Sequence, residues 1–322
     1  MSDTFDIVII GAGASGAAAA WSLSQKFDSI ACLEQGDWMD PSKYPSTNTD
    51  WEILKSRNFS PLPNERNLPS DYKIDDTDSP IAISNFNAVG GSTILYSGHF
   101  PRMHPSDFKT SSLDNVGSDW PIEYGDLEKF YNINDKQMGI SGLEGDPAYP
   151  EITGLLPPID IGDIGNVMGK GFNKLGWHWW PSYAAILTRE KDGRGRCLNL
   201  GPCNTGCPQG AKSSVDITYW PKAIKNGVKL FTNSRVSQVI VNSKDEVKGV
   251  MYFDAHGEEH FIKCKIVLMA CNGVGTPRLL LNSKSKVRNE TLANRSDMVG
   301  RNLMLHPLGF IEGIFEDNID SN

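Results

Sequence analysis

Near its start the chain reads Phe5-Asp6-Ile7-Val8-Ile9-Ile10-Gly11-Ala12-Gly13-Ala14-Ser15-Gly16, and residues 17–23 continue it as a run of small residues. Apart from Asp6, the first six positions are apolar without alternation. That predicts a strand buried on both faces of a parallel sheet. The small-residue run predicts a helix. A second strand is expected over residues 29–33, with Glu34 at its end. Strand, turn, helix and strand in about thirty residues make a βαβ unit. The expected fold class is therefore α/β, Rossmann-like, with a central parallel sheet.

The glycines of the turn have separate tasks. Gly11 permits the tight turn, Gly13 lets the backbone approach a pyrophosphate, and Gly16 lets the helix pack close to the sheet. The helix N-terminus offers free N–H groups to phosphate. Glu34 stands eighteen residues after Gly16. A carboxylate there accepts hydrogen bonds from ribose hydroxyls and repels a 2′-phosphate, which disfavours NADP. The turn alone does not separate NAD from FAD.

The 322 residues carry 31 Lys+Arg against 39 Asp+Glu, a net charge of −8. No basic stripe is available to neutralise phosphates, so a nucleic-acid partner is not expected. No run of about 18 uncharged apolar residues exists, so no direct membrane span is expected either. Asp3 and Asp6 stand where a secretory leader would carry Lys or Arg.

Beyond Glu34, residues 37–80 lose periodicity and are rich in Pro, Asn, Asp and Ser. Residues 81–86 predict a strand, 124–137 and 164–175 helices, and 213–226 a helix closed by Gly227. Short strands are expected over 228–241 (two) and 247–254, and a longer one over 259–271. A helix over 276–283 carries Pro277 in its first turn. Trp177-His178-Trp179-Trp180-Pro181 reads as packing beneath a loop, or as a wall near a ligand.

Two later segments identify the cofactor by resemblance. One is Gly90-Gly91-Ser92-Thr93-Ile94-Leu95-Tyr96, followed by Phe100-Pro101-Arg102. The other is Ala270-Cys271-Asn272-Gly273-Val274-Gly275-Thr276-Pro277-Arg278-Leu279-Leu280-Leu281. With the N-terminal turn they resemble the glucose–methanol–choline (GMC) oxidoreductase family, from Asp6 to Pro307. Val299-Gly300-Arg301-Asn302-Leu303-Met304-Leu305-His306-Pro307 resembles that family's lead-in to its antiparallel-sheet substrate domain.

The resemblance implies FAD. Gly11, Gly13, Ala14, Ser15 and Gly16 would hold the pyrophosphate, and Glu34 the adenosine ribose. Gly90, Gly91, Ser92 and Thr93 would lie along pyrophosphate and flavin, Val236 would meet the adenine through its backbone, and Ala270 and Asn272 would flank the cofactor. The chain departs from the family's first signature at Phe86, usually Gly or Ala, and at Tyr96, usually Asn or His. Without a histidine at 96, the flavin is expected to be non-covalent. The implied organisation is 1–118 and 196–300 as two parts of the FAD-binding domain, 119–195 as an insertion and start of the cap, and 301–322 as the incomplete start of the substrate domain.

Cys197, Cys203 and Cys207 fall within eleven residues of a Gly/Pro-rich loop. Three thiolates there suit an iron–sulfur cluster, and no fourth ligand of zinc spacing is present. The loop resembles that of gluconate- and glucose-type dehydrogenase subunits of the family, some of which carry such a cluster. Structural cysteines are the other reading. Cys32, Cys264 and Cys271 sit singly in apolar strands and read as buried, inert thiols.

The resemblance implies oxidation of a CH–OH group by hydride transfer to flavin, with a histidine as base. In the family that histidine lies near the C-terminus. None of His99, His104, His178, His256, His260 and His306 falls in a matching segment, so no catalytic residue is assigned. His256 and His260 read as a hairpin turn. The expectation is a truncated chain of a sugar, sugar-acid or other alcohol dehydrogenase passing electrons to a non-oxygen acceptor. A cytochrome and a small subunit are the implied partners. The alternatives are a long-chain alcohol or choline-type oxidase, and an inactive flavin-binding fragment. The default location is cytoplasmic, with periplasmic export on a signal-bearing partner as the alternative.

Overall fold

The computed structural model describes residues 4–66, 68–287, 290–306, 309, 311–316 and 319. It divides the chain into two compact units. One comprises Met1–Ser97, Leu200–Pro208 and Ser214–Leu305, the other Gly98–Asn199, Gln209–Ser213 and His306–Asn322.

The first unit is built on one six-stranded sheet. Strands β1 (Thr4–Ile10), β2 (Ile30–Leu33), β3 (Lys229–Phe231), β4 (Arg235–Val241), β5 (Val247–Phe253) and β6 (Glu259–Met269) take the order β3-β2-β1-β6-β5-β4. The β3–β2, β2–β1 and β1–β6 pairs are parallel, while β6–β5 and β5–β4 are antiparallel. The early βαβ unit therefore forms as its sequence predicts. The meander of short strands widens the same sheet.

Helix α1 (Ala14–Leu23) follows β1 directly. Ile7, Ile9, Ile30 and Cys32 are buried, as are Ala17 and Ala20 of α1. Another buried cluster joins Phe5, Val8, Ile10, Leu33, Val239, Val250, Ile262 and Leu279. From Ile7 to Ile10 the two kinds of position alternate along β1, which explains the unbroken apolar run there.

The remaining helices of this unit are short, except the last. They are α2 (Trp51–Lys55) and, after the second unit's α3 (Thr110–Asp114), α4 (Tyr124–Met138) and α5 (Gly162–Leu175), the pair α6 (Val215–Thr218) and α7 (Trp220–Lys225), then α8 (Asn272–Asn282). Helix α4 carries a capping box, in which Asp126 Oδ2 accepts from the Glu123 N–H at 2.8 Å. The second unit's core includes a buried ion pair. Arg102 Nη2 lies 2.6 Å from Asp135 Oδ2, and Arg102 also donates to Tyr124 Oη and Asn132 Oδ1.

Several expectations are corrected. Residues 81–86 form no strand; their backbone is engaged locally, Asn85 N–H donating to Pro61 O and Phe86 N–H to Ser92 Oγ. The helix expected over 213–226 is divided into α6 and α7, with Pro221 in the first turn of α7, where its missing N–H costs nothing. Helix α8 begins at Asn272, not Thr276, so Pro277 lies inside it. Asn272 makes the earlier start work: its Oδ1 accepts from the N–H groups of Val274 and Gly275, both at 2.8 Å. Trp177 is 62% exposed and so is not packed beneath a loop, although Trp179 and Trp180 both hydrogen-bond through their indole N–H. Pro307 lies outside the described residues.

Candidate functional site

The C-terminal ends of the parallel strands β1, β2 and β6 lead into a cleft of about 560 Å³, wholly within the first unit. Its wall is set by the turn after β1. Gly11 adopts φ +99, and a Cβ there would lie 2.5 Å from the Ala270 carbonyl oxygen. Only glycine fits. The Gly11 N–H donates to Leu33 O and the Ala270 N–H to Ile10 O, each at 2.8 Å, which ties the turn to both neighbouring strand ends.

The Ala12 peptide is fixed by three partners. Its N–H donates to Glu34 Oε2 at 2.7 Å, and its carbonyl accepts from the Trp220 indole at 2.8 Å and from the Gly90 N–H at 3.0 Å. A Cβ on Gly16 would run into the Gly11 carbonyl, so this glycine serves turn–helix packing. A Cβ on Gly13 would meet nothing within 4 Å, and Gly13 lines the cleft with Ala14 and Ser15. Gly13 is thus bare where a ligand would approach.

Glu34 is 6% exposed. Its second oxygen accepts from the Gly36 N–H at 2.9 Å. Burial pushes its carboxyl above the usual range, while the bonds from Ala12, Gly36 and Gln35 pull the other way. An ionised carboxylate has about four acceptor positions. Three backbone donors leave about one for a hydroxyl donor from a ligand.

The Gly90–Tyr96 segment supplies another part of the lining. Gly90 has φ +101, and a short 3-10 turn covers Gly91–Ile94. Ser92 Oγ accepts from the Phe86 N–H, and Thr93 Oγ1 donates to Gly90 O at 2.6 Å while accepting from the Val215 N–H. Both hydroxyls therefore shape the turn as well as line the cleft. Val236, Ala270 and Asn272 also line it. Of the residues selected from sequence for FAD, Gly16 and Gly90 stand outside the lining. Both act behind it, Gly90 against Asp216.

The cleft also holds residues that sequence reasoning passed over: Gln35, Tyr72, Arg235, Cys271, Gly275 and Arg278. Arg235 adjoins Val236, and Arg278 lies within the quoted glycine-rich segment, so both could have been taken as neighbours. Tyr72 sits in an aperiodic stretch and gave no signal. Cys271 is half-buried and borders the cleft, where a fully buried thiol was expected, because it caps α8 just beyond the C-terminal end of β6. Burial still raises its thiol to about 11. Cys32 and Cys264 are buried as expected.

Of the loop's cysteines, Cys203 and Cys207 belong to the first unit and Cys197 to the second. Among the described residues, the one group of three metal-ligand atoms within 4.8 Å is Asp254, Glu258 and His260. It lies on the β5–β6 hairpin, where Asp254 Oδ1 accepts from the N–H groups of His256 and Glu258 and Oδ2 meets His260 Nε2 at 2.8 Å. The expected hairpin role of His256 and His260 holds. No helix among the described residues is long and apolar enough to cross a membrane.

The chain matches the GMC oxidoreductase family model over residues 160–308. It is 40% identical over 318 residues to 2-methyl-1,2-propanediol dehydrogenase of Mycolicibacterium austroafricanum, covering 97% of this chain and 57% of that protein. It is 29% identical over 323 residues to the fructose dehydrogenase large subunit of Gluconobacter japonicus, covering 94% and 58%. Pyridoxine 4-oxidase from Mesorbium loti shares the fold, with a TM-score of 0.59 at 19% identity over 87% of this chain and 52% of that one. The chain thus spans a little over half the length of the relatives it matches.

Proposed function

From a chain that carries the domain of the GMC oxidoreductase family, we infer the cofactor-binding part of an enzyme that oxidises the CH–OH group of a small alcohol or sugar with FAD. The observation that carries this reading is the single cleft. It gathers Gly11, Gly13, Ser15, Glu34, Ser92, Thr93, Val236, Ala270 and Asn272 from five separate parts of the sequence.

The residues present fit the cofactor. Gly13, with open space before it, and the N-terminus of α1 offer backbone N–H groups and the positive end of a helix to a diphosphate. Glu34 has acceptor capacity left for a ribose hydroxyl. The Val236 backbone would meet the adenine. Gly91, Ser92 and Thr93 would hold the flavin end. FAD bound there supplies the hydride-accepting ring. No histidine is among the residues lining the cleft, and no base is assigned.

The names of the two relatives support a dehydrogenase acting on a diol or sugar and passing electrons to an acceptor other than oxygen. That one of them is a large subunit supports a partner-protein acceptor. The reading has no step through an iron–sulfur cluster.

The test is anaerobic mixing of flavin-loaded protein with 1,2-diols and ketoses, following bleaching of the visible flavin band. Bleaching followed by dye reduction without peroxide is expected. Flavin that stays oxidised with every alcohol, or that yields peroxide as its main product in air, would overturn the dehydrogenase reading.

A further inference from the structure

Tyr72 lines the cleft from a segment without regular secondary structure. The guanidinium of Arg235, first residue of β4, lies 5.4 Å from its ring centroid. That of Arg278, from α8, lies at the same 5.4 Å. All three residues line the cleft. Two like charges from different elements share one aromatic ring, and what attracts both is the ring's quadrupole.

The segment is anchored on either side of Tyr72. Asp71 pairs with Arg66 at 2.8 Å, with both side chains nearly or fully buried, and accepts from Asn87 Nδ2 at 2.8 Å. Ile74 exchanges two hydrogen bonds with the Asn64 side chain, each at 2.8 Å. Tyr72 therefore projects from a short span fixed at both ends. Its arginine partners stand on elements that also supply Val236 and Asn272 to the same wall.

We propose that Tyr72, clasped between Arg235 and Arg278, is a positioning residue that closes residues 71–75 over the adenosine end of the cleft and sets how fast the dinucleotide leaves. This rests on the FAD reading above. The cofactor is held by backbone, glycines and Glu34, while the clasp governs its escape. Cation–π contacts at exposed sites are worth roughly two- to fivefold each, so losing both predicts about five- to thirtyfold faster release.

The test is the release rate of FAD from loaded protein on dilution, followed by recovery of free-flavin fluorescence. Tyr72→Leu is expected to accelerate release by that factor, Tyr72→Phe to restore the wild-type rate through the retained ring, and Arg235→Gln and Arg278→Gln to fall between. The melting temperature of the flavin-free chain should fall by no more than a few degrees across the set. Release at the wild-type rate from Tyr72→Leu, with wild type holding FAD, overturns the clasp and leaves the cofactor reading standing. The clasp is equally overturned if Tyr72→Phe behaves as Tyr72→Leu, or if Tyr72→Leu unfolds and the two arginine variants release at the wild-type rate. A wild-type chain that holds no FAD overturns both the clasp and the cofactor reading.

Discussion

Replacing Gly13 by alanine should separate ligand binding from folding. Gly13 has φ −73 and ψ −165, which alanine adopts freely, and its added Cβ would meet no atom within 4 Å. Gly13 is the N-cap of α1, where alanine is the worse residue by a few tenths to about 1 kcal/mol. Against that, alanine lowers the entropy of the unfolded chain by about 0.4–1 kcal/mol. The two nearly cancel, so the flavin-free protein should melt as wild type does. In the cleft the new methyl occupies the place where a diphosphate oxygen must reach the backbone N–H groups. Losing one or two charge-assisted hydrogen bonds costs about 1.5–3 kcal/mol each, which is ten- to a hundredfold in affinity or more. The assay is a fluorescence titration with FAD beside a melting curve. Wild-type affinity in a normally folded Gly13→Ala chain would refute the placement of the diphosphate over this turn.

Gly16→Ala should behave oppositely. Its Cβ runs into the Gly11 carbonyl, so the variant should lose about 1–3 kcal/mol or more of stability, read as a lowered melting temperature even without cofactor. Asp135→Ala removes one partner of a buried ion pair and should cost about 3–5 kcal/mol in a denaturant titration. Glu34 binds its proton more tightly folded than unfolded, because burial raises its carboxyl above 4.5. Its contribution therefore falls as pH rises from 4.5 through the folded value, and the melting-temperature difference between wild type and Glu34→Gln should move that way across the window. The thiols of Cys264 and Cys271 are pushed up to about 11. At about pH 8 only about a thousandth of each is thiolate, so mass mapping should find them unlabelled by an alkylating reagent until the chain unfolds.

The fold was legible where one period governed a segment. The unbroken apolar run of β1, the glycine turn and the meander of β4 to β6 all followed from patterning that matches burial on both or one face. The errors lie where a local side-chain bond replaced the period. Asn272 Oδ1 starts α8 a turn early, and Ser92 Oγ takes the Phe86 N–H that a strand would have used. Most of the cleft was legible because glycines and a strand-end carboxylate have fixed tasks at a βα turn. Tyr72 was not, since a ring in an aperiodic segment acquires its partners only when β4 and α8 arrive from 160 and more residues away.

Amide hydrogen exchange with and without FAD reads the placement of the dinucleotide in this cleft. Slowed exchange is expected in the peptides covering residues 11–16, 34–36, 71–75, 91–93, 234–236 and 270–275, with little change in α4 and α5. Saturation with FAD that leaves the 11–16 and 34–36 peptides unprotected, or that protects α4 and α5 instead, would contradict that placement.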